Sequence, residues 1–71
     1  MADKLKLEML DALRAHFKAK ISMHKVNVDV LMAMTVGVAE HPDVMKTIED
    51  ELAIIAEYDD KLEMLNKHFG V

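Results

Sequence analysis

The stretch Val36-Gly37-Val38-Ala39-Glu40-His41-Pro42-Asp43 contains the only proline and one of the two glycines in a chain of 71 residues. Both strong helix breakers therefore fall at one place, between two long segments built of helix formers. The pattern predicts an all-α fold in which the chain doubles back once. A first helix spans about 3–35, a turn spans 36–42, and a second helix spans about 43–69. Together they form an antiparallel two-helix hairpin and a single domain over 1–71. Gly37 can close the first helix in the left-handed conformation, and Pro42 has the φ of a first helical turn. His41 or Asp43 is expected to cap the second helix. Glu40-His41-Pro42-Asp43 is also the one cluster that could read as chemistry, but it offers a single His and two carboxylates where a metal needs three or four convergent ligands. Gly37, His41, Pro42 and Asp43 are accordingly read as a structural turn.

Working back from the turn, no Gly or Pro interrupts residues 3–36, and Asp3 is placed to cap the first helix. Two apolar stripes run along this helix. The first is Leu10, Leu13, Phe17, Ile21, His24, Val28, Leu31 and Thr35. The second is Leu5, Met9, Ala12, His16, Ala19, Met23, Val26, Val30, Ala33 and Gly37, alternating steps of four and three. Offset by one residue, the stripes stand ~100° apart on the helix surface. The first carries the larger side chains and is expected to receive the second helix. The second, rich in small residues, is expected to let another chain approach closely, so Met9, Ala12, His16, Ala19, Met23, Val26, Val30 and Ala33 are the expected oligomer interface. Two local alternatives stay open. Val26-Asn27-Val28-Asp29-Val30 alternates like a strand, and Asn27 could cap a separate short helix from Val28 to Val36.

Beyond the turn, Val44, Ile48, Leu52, Ile55, Tyr58, Leu62, Leu65 and Phe69 form one apolar stripe opposite a charged face. Glu57 with Lys61 and Glu63 with Lys67 have the favourable i to i+4 order. Ile54 falls on the charged side, as a scattered surface residue or part of a partner contact. Gly70 stops the helix.

Zero cysteines exclude disulfides, thiolate metal sites and thiol nucleophiles. A chain this short has little core of its own, and 52% apolar residues exceed what one hairpin seam needs, so assembly with further copies is expected. A dimer forming a four-helix bundle is the simplest result, with a larger helical oligomer as the variant. The formal charge of −4 is unevenly spread: residues 3–25 carry six cations against three anions, whereas residues 43–69 carry three against eight. The overall acidity and the single Phe17 in the basic half weigh against nucleic acid as a partner. There is neither a secretory h-region near the N-terminus nor a run of ~18 apolar residues, so the expected location is cytoplasmic, with no membrane partner.

Val36-Gly37-Val38-x-Glu40-His41-Pro42-Asp43, followed by Ile55-Ala56-Glu57 and Lys61-Leu62-Glu63-x-Leu65-Asn66-Lys67-His68-Phe69, resembles short, largely uncharacterised proteins encoded by large tailed bacteriophages. In that group a Pro often precedes the Val-Gly pair and a second Gly follows it, where this chain has Thr35 and Ala39. The resemblance implies a helical hairpin made in the host cytoplasm and carries over no catalytic residue.

For an enzyme the residues offer little. The only Ser is Ser22, no phosphate-binding glycine loop is present, and the four His stand at 16, 24, 41 and 68. No cofactor or metal is therefore expected. The function expected is that of a small oligomeric protein-interaction module, such as a phage-encoded accessory factor binding a host or phage macromolecule. The alternative is a helical oligomer that binds a small ligand between its methionine-rich helices.

Overall fold

The computed structural model describes residues 2–34 and 42–70. They form two helices, α1 from Ala2–Met34 and α2 from Pro42–Phe69, with no strand among the described residues. α1 runs unbroken for 33 residues. The strand-like alternation at Val26 to Val30 therefore yields to helix, and Asn27 caps nothing; it sits mid-helix and donates to Glu51 across the seam at 3.2 Å. A lone strand would leave its backbone groups unpaired, whereas the helix satisfies them internally. The expected turn residues Gly37 and His41 lie outside the described residues.

Both helices begin one residue earlier than the sequence predicts, so Asp3 and Asp43 stand inside the first turns instead of at the caps. There each carboxylate still meets the positive end of its helix dipole. Pro42 opens α2, where its missing N–H breaks no hydrogen bond. At the far end the Gly70 amide donates to the Asn66 carbonyl at 3.2 Å. A Cβ on Gly70 would come within 2.2 Å of that same oxygen, so only glycine makes this contact, and it does so without a positive φ.

The helices are antiparallel, as their cross-contacts show. Arg14 reaches Asn66, His16 meets Tyr58, and His24 meets Glu51, so partners fall on α2 as they rise on α1. The larger-residue stripe of α1 faces α2 as expected: Leu10 is buried and Phe17, Ile21, His24, Val28 and Leu31 are half-buried. On α2 the inward row is Val44, Ile48, Glu51, Ile55, Tyr58, Leu62 and Leu65. Leu52, expected in that row, is instead 52% exposed. The strict four-three alternation passes through Glu51, and Leu52 stands ~100° further round. Ile54, read as a surface residue, is half-buried at the edge of the seam, while Leu13 and Phe69 are more open than expected. Phe69 ends α2, so no further helical turn covers its ring.

Two helices side by side enclose very little. Only Leu10 at 7% and Ile48 at 8% exposure are buried hydrophobics among the described residues. The molecule measures 58 × 16 × 13 Å with a radius of gyration of 16.5 Å, against about 11 Å for a compact domain of this length. Its accessible surface is 5510 Å², where a compact monomer of 8.1 kDa exposes about 4,500 Å². No described helix is long and apolar enough to cross a membrane.

Candidate functional site

The most unusual surface of the hairpin is an exposed side of α1 offset from the seam, on which His16 also meets Tyr58 of α2. Met9, Met23, Val26 and Val30 are between 49% and 58% exposed there, and Ala12, His16, Ala19 and Ala33 between them are also exposed. All eight residues expected at an interface are thus accessible on one ridge. Each larger member precedes a seam residue by one position, as in Met9 and Leu10, or Met23 and His24, which sets the ridge ~100° from the seam. At its N-terminal end the ridge runs into a groove of about 310 Å³ lined by Leu5, Lys6, Met9, Leu10 and Leu13. α2 exposes fewer large apolar residues, among them Met45 at 68% and Leu52 at 52%. Its outer face carries Glu49, Asp50, Glu57, Asp59, Asp60 and Glu63, all exposed.

A second feature lies within the seam. His24 and Asn27, three residues apart on α1, converge on Glu51 of α2: the His24 ring nitrogen Nδ1 pairs with one carboxylate oxygen, and the Asn27 amide donates to the other at 3.2 Å. The His24 and Glu51 side chains are only 15% and 17% exposed. Each group supplies what its neighbour needs, and no buried side-chain nitrogen or oxygen among the described residues is left without a partner. An open cleft of about 250 Å³ beside this cluster is lined by Asn27, Val30, Leu31, Thr47 and Glu51. Both Glu51 oxygens are already engaged, and Thr47 donates to the Asp43 carbonyl at 2.7 Å, so the polar groups around the cleft face one another more than they face a ligand.

The remaining polar contacts hold the rod's surface. Arg14 donates from Nε to Asn66 at 2.8 Å and from Nη1 to Asp11 at 3.0 Å, joining the helices near their open end. Tyr58 receives the edge of His16 and the tilted ring of Phe17, both at 6.0 Å between centroids, with the Lys61 ammonium 4.8 Å from its ring. The expected Glu57 and Lys61 pair forms at 3.1 Å. Lys46 pairs with Asp50 at 2.9 Å, and this hydrogen bond, followed by the Asp50 charge, raises the Lys46 pKa above its ordinary value.

The described histidines do not come together: His16 and His24 are about two turns apart on α1 with different partners, and His68 lies near the opposite end of α2 beside Phe69. Among the described residues no three His, Asp or Glu side chains are grouped to hold a metal ion. The His24, Asn27 and Glu51 cluster was hidden in the sequence because Leu52 offered an apolar substitute for Glu51 in the same stripe. The legible clue was the pair of polar residues at i and i+3 on the seam face of α1, which calls for one polar partner opposite.

Fold and surface together define an all-α helical hairpin with an uncovered second face on its first helix. No family model, curated protein or solved structure matches the chain.

Proposed function

We propose that this protein is a small homo-oligomeric interaction module, a dimer joined through α1 that displays the acidic faces of its α2 helices to a basic surface on another protein. The observation that supports this reading is the exposed α1 ridge. The hairpin's accessible surface exceeds that of a compact monomer by about 1,000 Å², and a standard interface covers about 800 Å² per partner. α1 has two apolar faces and α2 has one, so joining the α1 helices covers the surplus and leaves the two acidic helices outermost. The setting that accords with the phage-like sequence is an accessory factor in the cytoplasm of an infected bacterium, acting on a host or phage macromolecule.

Capture from bacterial lysate on immobilised protein tests the functional half of this proposal. A specific protein should be retained at low salt and released near 1 M salt, where the Debye length falls to ~3 Å. A monomeric ridge variant should capture it at least tenfold less well, because two linked copies of a weak site bind with avidity. Full capture by a monomeric variant would show that one hairpin suffices and would refute the role given to the oligomer.

A further inference from the structure

Resting on the proposed self-association, we infer that the second copy docks α1 on α1 in antiparallel orientation, about a two-fold axis near residue 21. The inference comes from the order of side-chain sizes along the ridge. With residue i of one helix level with residue 42 − i of the other, Met9 falls opposite Ala33 and Ala12 opposite Val30. His16 then falls opposite Val26, and Ala19 opposite Met23. Every layer sets a longer side chain against a shorter one, so a single interhelical distance serves the whole ridge. The two-fold operation repeats each pairing on the other half, as an isologous interface requires.

A parallel pair lacks this property. Met9 would meet Met9, Ala12 would meet Ala12, and His16 would meet His16, so thick layers would alternate with thin ones. Side chains pack to nearly crystalline density, and such alternation forces voids at the alanines or strain at the methionines. The parallel pair would also set the Lys4 and Lys6 charges of both copies side by side and align the helix dipoles unfavourably.

The groove gives a second, independent reason. It lies at the N-terminal end of α1 and is bounded by Leu5, Met9 and Leu13. At the C-terminal end of the same helix, Val30 and Met34 project, 52% and 57% exposed. Antiparallel docking brings Met34 of the second copy level with position 8, within a turn of Met9, where it can enter the groove. The two-fold axis fills both grooves at once. The final arrangement is α2, α1, α1 and α2 in order, with the acidic helices on the outside.

The absence of cysteine allows single nitroxide labels to be placed at will. Ser22→Cys and Glu8→Cys lie on the same exposed flank of the ridge and differ only in height. In the antiparallel dimer two labels at position 22 should lie within about 20 Å of each other, whereas two at position 8 should be ~40 Å apart along the axis at 1.5 Å per residue. Pulsed dipolar spectroscopy reads both distances. A short distance at 22 with a long one at 8 supports the inference. Short distances at both positions would overturn it in favour of the parallel pair, and long distances at both would place the interface elsewhere. No intermolecular coupling at either position, in a protein that sediments as a monomer, would instead defeat the proposed self-association.

Discussion

Replacing Ala19 by Glu is expected to turn the protein into a monomer while leaving the hairpin helical. Ala19 is exposed in the single hairpin, so the substitution offends nothing within it and should leave the circular dichroism spectrum unchanged. In the proposed dimer the new carboxylate falls between Met23 side chains near the two-fold axis. An unpaired charge buried in an apolar contact is opposed by several kcal/mol, and here it enters twice. The dissociation constant should rise at least a thousandfold, equivalent to about 4 kcal/mol. Ala33→Glu, nearer the end, should act in the same direction. Glu57→Ala, on the outer face of α2, removes only the exposed pair with Lys61 and should leave association unchanged. Size-exclusion chromatography with light scattering distinguishes these outcomes, and an Ala19→Glu protein that elutes with the wild type would show that the ridge has been misassigned.

Removing Glu51 should destabilise the hairpin. Glu51→Leu takes the acceptor from both His24 and Asn27, which then sit in the seam with donors unmet. Leaving half-buried polar groups unsatisfied costs about 2 kcal/mol, a large share for a chain with so small a core. Adding His24→Leu to Glu51→Leu should recover the histidine's share of that loss, while the Asn27 amide stays unmet. Denaturant unfolding at one fixed protein concentration measures the cycle, the concentration being held because association itself adds stability. If Glu51→Leu alone unfolds at the wild-type midpoint, the cluster does not contribute to the seam. If the double variant is no better than the single one, the loss does not come from the stranded histidine.

Much of the architecture is carried by local sequence. The absence of breakers before Gly37, and the stepping of Leu10, Phe17, Ile21, His24, Val28 and Leu31, point to one long helix with a defined inward face, and the structure has both. Where propensity and tertiary need disagreed, the latter prevailed. Val26 to Val30 has strand-like composition, yet the segment stays helical because a helix satisfies its backbone internally where a lone strand would have no partner. Glu51, and not Leu52, takes the inward place in the α2 stripe. A charged residue and Leu52 competed for one place on the stripe, and hydrophobicity favours leucine when the facing helix is ignored. The half-buried Ile54 and the exposed Phe69 depend on how the facing helix sits against α2, a relation between elements that no periodicity within either one encodes. The exposure of Met9, Ala12, His16, Ala19, Met23, Val26, Val30 and Ala33 is, by contrast, legible, since a second four-three alternation on one helix has no place in a two-helix seam.

The central claim is that the ridge of α1 is covered by another copy of the chain. Sedimentation equilibrium of the wild-type protein at micromolar concentration tests it most directly. The account predicts a species of twice the 8.1 kDa chain mass. A chain that sediments as a monomer across that range, and still melts cooperatively at a temperature independent of concentration, would contradict it.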